Sequence, residues 1–131
     1  MFRIIILLLT ALLISSCTEK IQWKDYNTTN IEQLTSEGKT VFVEYTASWC
    51  ITCLVQKEEI LDSREIIKLF KDNNVVAVKA DWSDWSSNIE KDLKQHNKVG
   101  LPMYIIFSEK TDFKPKLLPE DISFKEIKNN I

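Results

Sequence analysis

Six residues that read as a strand, Val41–Thr46, lead within a few positions to two cysteines spaced Cys50-Ile51-Thr52-Cys53. The strand reading rests on its β-branched and aromatic content, Val41-Phe42-Val43-Glu44-Tyr45-Thr46, with one acid in its middle. Behind the cysteines, Leu54, Ile60 and Leu61 are set among Gln56, Lys57, Glu58 and Glu59, a helical pattern. A Cys-x-x-Cys pair at a strand-to-helix junction is the arrangement of a redox-active dithiol. Unpaired N–H groups and the positive end of the helix dipole favour a thiolate at Cys50, lowering its pKa below the roughly 8.5 of a free thiol.

The 131 residues give room for one domain and include only 2 Gly and 3 Pro, too few for long low-complexity linkers. No internal repeat is present. A formal net charge of −2 gives no electrostatic grip on nucleic acid or anionic lipid. There are three cysteines, Cys17, Cys50 and Cys53. An odd count in an exported protein leaves one thiol to be explained.

The start of the chain supplies the explanation. Arg3 is followed by an almost wholly apolar stretch, residues 4–14, broken only by Thr10. It is shorter than the ~20 residues that span a bilayer and suits the core of a signal peptide. It ends Ile14-Ser15-Ser16-Cys17, which resembles a bacterial lipobox, in which the cysteine is acylated and the chain cut before it. The expectation is a lipoprotein signal peptide over 1–16, a lipidated Cys17 with a tether over 17–28, and the folded domain over 29–131. An ordinary signal peptide, or an uncleaved anchor with an incidental cysteine, is the alternative. Two thiols then remain in the domain.

Further along, an edge strand is expected near residues 21–23, then a short helix capped by Thr29 or Asn30 and closed by Gly38. Ile66, Ile67, Leu69 and Phe70 form another helical stripe. Residues 75–80 make a second strand too continuously apolar to have a wet face. Trp82 and Trp85 follow among Ser and Asp, read as packing or rim residues, before a helix capped by Ser86 or Ser87 and running to His96. After Gly100-Leu101-Pro102 come a strong strand, Met103–Phe107, a weaker one near Lys116–Leu118, and a last helix over 124–130. Strands alternating with helices indicate an α/β fold, a central mixed sheet covered on both faces. A mature chain of about 115 residues buries roughly two-thirds of its unfolded surface, enough for a core without structural disulfides.

Trp49-Cys50-Ile51-Thr52-Cys53 after a central strand, Lys79-Ala80-Asp81-Trp82, and Gly100-Leu101-Pro102-Met103-Tyr104 together resemble the thioredoxin superfamily. Within it the resemblance is to the C-terminal periplasmic domains of DsbD-type thiol:disulfide interchange proteins. Two departures stand out: Leu54 and Lys57 occupy positions where these relatives often carry Lys and Glu. The multi-span membrane portion of those proteins is absent from this sequence.

The pattern makes Cys50 the nucleophile and Cys53, one turn on and more buried, the thiol that resolves the mixed disulfide. Burial of Glu44 in an apolar strand raises its pKa. The resemblance implies that Glu44 accepts the proton of Cys53, and that Pro102 is cis and faces the dithiol. It also implies that Leu101 offers backbone groups to an extended partner segment. Trp49 is expected to pack beside and shield the thiol. A structural disulfide closing two residues would stabilise little, and half a metal site would need further ligands, of which His96 is the one soft candidate.

The leading expectation is an envelope thiol:disulfide oxidoreductase, acting as a reductase, with the Cys50–Cys53 disulfide as its redox group and no other cofactor or metal. Its partners would be a membrane electron-donor protein and disulfide-containing envelope proteins. It would be monomeric, lipid-anchored on the periplasmic side, and without nucleic acid. Cytochrome c maturation and disulfide repair are candidate settings. A copper metallochaperone and a non-catalytic binding module of the same fold remain open as alternatives.

Overall fold

A computed structural model describes residues 18–131. The expected signal peptide and Cys17 lie outside the described residues. The elements run β1 (Trp23–Asp25), α1 (Ile31–Ser36), β2 (Val41–Thr46), α2 (Ile51–Gln56) and, continuous with it, a π-helical turn (Lys57–Leu61). Then come α3 (Arg64–Asp72), β3 (Val76–Asp81), α4 (Ser87–Gln95), β4 (Met103–Phe107), β5 (Lys116–Leu118) and α5 (Phe124–Asn129).

The five strands form one sheet in the order β1-β3-β2-β4-β5. β1 and β2 both pair parallel to β3, whereas β4 runs antiparallel to β2 and to β5. The sheet is therefore mixed, as expected. The central β2 is buried from Val41 to Tyr45, so its residues have no wet face and alternate between two cores. Val41, Val43 and Tyr45 join Ile89 and Leu93 of α4, with Ile31 and Leu34 of α1 against them. Phe42 points the other way, into a core with Leu61, Ile66, Phe70 and Ile127. Its ring lies 5.2 Å from that of Phe70 and 6.0 Å from that of Tyr104.

The edge strand forms two residues later than expected, at Trp23–Asp25, and lies within the segment read from sequence as a tether. Ile21 and Trp23 pack on the Phe42 core, which holds this stretch to the sheet despite its polar neighbours. Tyr26, just beyond β1, and Tyr45 both donate their hydroxyls to Asp92 Oδ2, tying β1 and β2 to α4. Burial, with Asp92 beside it, raises the Tyr26 phenol to about 12 and pushes Tyr45 upward in the same sense. Both therefore stay protonated donors.

Helix ends follow local chemistry. Asn30, not Thr29, caps α1, its Oδ1 accepting from the Gln33 N–H at 2.9 Å. Gly38 follows at φ +76, the left-handed backbone that glycine adopts without penalty. Ser63 and Ser123 cap α3 and α5, whereas Ser86 occupies the cap of α4 with no side-chain hydrogen bond. Asn30→Ala is expected to lower stability by about 1 kcal/mol, read as a fall in the denaturant midpoint at constant slope. An unchanged midpoint would show that the cap contributes nothing.

Candidate active site

Extended β2 stops at Thr46, and the chain turns through Ala47 and Ser48 before α2. The Cys50 N–H donates to the Ala47 carbonyl at 3.1 Å, closing that turn. Cys50 is the N-cap of α2, and its Sγ accepts from the Cys53 N–H at 3.2 Å. A short polar side chain is what a helix N-terminus ordinarily recruits; here sulfur takes the place of oxygen. The two sulfurs are joined in a disulfide, the oxidised state of the pair. Cys50 is 7% exposed and Cys53 0%, so the first sulfur is the one nearer solvent.

Leu101 packs against Ala47, Cys50 and Cys53, bringing the end of the α4–β4 connection onto the disulfide. The Leu101–Pro102 peptide bond is cis. Leu101 lies two residues beyond the β2–β4 ladder, whose last pair is Tyr45 with Met103. This places its backbone at the rim beside Cys50, and Pro102 is buried behind it.

Glu44 is 1% exposed, and neither carboxyl oxygen has a hydrogen-bond partner among the described residues. It pairs across the sheet with Lys79 on β3 and Tyr104 on β4, on the side covered by the π-helical turn and α3. Burial pushes its carboxyl up to about 7, against the opposing pull of Lys79 and Lys57. Lys79 is itself drawn to the ring of Trp23, 5.1 Å away, and Lys57 is paired with Asp62. Neither cation is bonded to the carboxyl, so the acid stays poised near neutrality.

The Tyr104 hydroxyl is also buried without a partner among the described residues, and burial followed by the nearby Glu44 charge raises its pKa. Tyr104→Phe is expected to leave stability unchanged or raise it by up to about 1 kcal/mol, because an unsatisfied buried hydroxyl opposes folding. Equilibrium unfolding checks this; a loss of stability would mean that the hydroxyl has a bridging water.

Trp49, 42% exposed, stacks on Trp85 with ring centroids 4.4 Å apart and planes 5° from parallel. Trp82 is buried beneath them, 5.9 Å from Trp49 and 4.8 Å from Trp85, its indole N–H donating to the Ser86 carbonyl at 3.1 Å. The Ser48 N–H donates to Ser83 Oγ at 2.8 Å, fastening the approach to Cys50 to the loop after β3. In the sequence Trp49 stands apart from Trp82 and Trp85, whereas the fold makes them one cluster. The signal was the tandem Asp81-Trp82-Ser83-Asp84-Trp85-Ser86, two successive turn-forming units. His96 stands apart, as the C-cap of α4. Leu54 is exposed on α2, and Lys57 is held by Asp62 at the π-helical turn.

Mixed sheet, cis-proline rim and dithiol at a helix start together define a thioredoxin-like protein. A family model described as thioredoxin-like matches residues 22–108, and the chain belongs to that family. It resembles DsbD in particular. The thiol:disulfide interchange protein DsbD of Campylobacter jejuni (strain RM1221) is 33% identical over 82 residues, 60% of this chain and 14% of that protein. The chain thus spans about 14% of the length of the curated relatives it matches. Among solved structures, the oxidised C-terminal domain of Neisseria meningitidis DsbD aligns with a TM-score of 0.60 at 17% identity, covering 77% of this chain and 89% of that one. A Thermus thermophilus thioredoxin aligns with a TM-score of 0.63 at 14% identity, covering 82% of each. These likenesses establish the fold.

Proposed function

We propose that the protein is a thiol:disulfide oxidoreductase of the bacterial envelope that works as a reductase. The observation carrying this reading is the Cys50–Cys53 disulfide at the start of α2, with the outer sulfur at the helix end and the inner one buried. In the reduced protein, the Cys50 thiolate attacks one sulfur of a partner disulfide. A Cys50–partner bond forms, the partner's S–S bond breaks, and its second sulfur leaves as thiolate. Cys53 then gives its proton to Glu44 and attacks Cys50 Sγ. The intrachain disulfide re-forms, and the partner departs with two electrons more than it brought. A dithiol donor must restore the reduced state, and a membrane protein would supply it.

Similarity to DsbD supports an envelope setting, and the lipobox-like Ile14-Ser15-Ser16-Cys17 supports a mature chain that starts at an acylated Cys17, its tether ending where β1 begins, followed by one catalytic domain. Among the described residues no helix is long and apolar enough to cross a membrane. Leu101 and Pro102 would present backbone to an extended partner segment, and Trp49 would line its approach.

The test is a redox titration of the full chain with insulin-disulfide turnover. Reversible two-electron behaviour and turnover driven by a dithiol are expected. Tight copper binding with no disulfide exchange would instead make it a metal carrier. Mass spectrometry of the N-terminal peptide from cell envelopes tests acylation at Cys17, and an unmodified Cys17 thiol there would remove the anchor.

A further inference from the structure

Trp85 costs backbone energy to hold where it is. Its φ is +58, a left-handed conformation uncommon for so bulky a residue. Two side-chain turns impose it: Asp81 Oδ1 accepts from the Ser83 N–H at 2.9 Å, and Asp84 Oδ1 from the Ser86 N–H at 3.1 Å. The Trp85 N–H donates to the Trp82 carbonyl at 3.1 Å between them. The core gains little in return, because Trp82 already fills the buried position and Trp85 remains 60% exposed. What the strain secures is an indole laid flat on Trp49, next to Cys50. Asp81 and Asp84, both exposed, flank it, and among the described residues neither is in a salt bridge. An open indole face edged by two carboxylates, each hydrogen-bonded within its own turn and without a cationic partner among the described residues, is chemically complementary to a cation.

We propose that Trp85, Asp81 and Asp84 form a subsite that selects partner segments carrying Lys or Arg next to the reactive cysteine. The proposal rests on the oxidoreductase reading and names the partner chemistry of the same site. The cation lies over the outer face of Trp85 while the partner sulfur meets Cys50. Trp85 sets specificity, and the thiol chemistry is that of Cys50 and Cys53.

The experiment uses the reduced full chain and three disulfide-bridged peptides that differ only beside the cysteine, carrying lysine, norleucine or glutamate. Each exchange rate is divided by that of the same peptide with dithiothreitol, which removes the intrinsic effect of the neighbouring charge on the sulfur. The lysine peptide is expected to exceed norleucine by about fivefold, with glutamate slowest. The lysine advantage should shrink in Trp85→Asn, which tolerates the left-handed backbone, and in Asp84→Asn, which keeps the turn and loses the charge. A norleucine peptide equal to or faster than lysine, or a lysine preference surviving in Trp85→Asn, overturns the proposal. Serine-for-cysteine peptides, titrated by indole fluorescence, report the same preference without turnover. If no peptide exchanges, the oxidoreductase reading fails, while the fluorescence ranking still decides the subsite.

Discussion

Cys50→Ser is expected to bring disulfide exchange down to the uncatalysed background, a loss of more than about a thousandfold. Cys53→Ser is expected to react once and stop. The difference follows from burial: Cys50 is the sulfur nearer solvent and caps the helix, whereas Cys53 is sealed beneath it. With Cys53 gone, the first exchange proceeds and the covalent Cys50–partner adduct accumulates, visible as a mass increase that dithiothreitol reverses. If Cys50→Ser forms that adduct and Cys53→Ser does not, the order of attack is the reverse of the one proposed. Neither change is expected to unfold the domain, because a disulfide closing so short a loop constrains the unfolded chain little.

Glu44→Gln is expected to flatten the dependence of stability on pH. In the folded protein the Glu44 carboxyl titrates at about 7 against an ordinary value of 4.5. Its folded pKa is raised, so its contribution is fully present below pH 4.5 and is lost as pH rises through 7. That displacement corresponds to about 3 kcal/mol for a buried carboxyl that must ionise without a hydrogen-bond partner. Between pH 4.5 and 8 the wild-type protein should lose about this much relative to Glu44→Gln, measured by urea unfolding at a series of pH values. Parallel curves would mean that Glu44 ionises freely in the fold. The same substitution should slow the second exchange step about a hundredfold at neutral pH, since a carboxamide takes no proton from Cys53. A wild-type rate and pH profile for that step would remove Glu44 from the chemistry.

The strands that carry the site were legible because burial leaves a local mark. β2, β4 and β5 fall at Val41–Thr46, Met103–Phe107 and Lys116–Leu118, as their apolar content indicates. The cysteine spacing likewise located the dithiol, because the chemistry needs both sulfurs within one helical turn. Less legible was whatever depends on contacts between distant segments. β1 is three residues long, two of them charged, and it becomes a strand because β3 offers it an edge. The π-helical turn at Lys57–Leu61 keeps the same apolar residues as an α-helix and leaves no periodicity signal. The indole stack joins residues 49 and 85 through a turn whose sequence gives its local shape and not its neighbour.

The parallel course of β1 and β2 sets where the N-terminal segment enters relative to the dithiol. Trp23 enters the sheet at the end opposite the one from which Thr46 leads to Cys50. The preceding chain is fastened at that first end too, Glu19 to Lys71 near the close of α3. Were Cys17 acylated as proposed, the leash before Glu19 would be short, and the sulfurs would stand on the pole facing away from the lipid. The six residues of β2 alone separate the two poles by about 20 Å. On that proposal clients would approach from the aqueous side, and a membrane-bound donor would have to reach up and around the domain to recharge it.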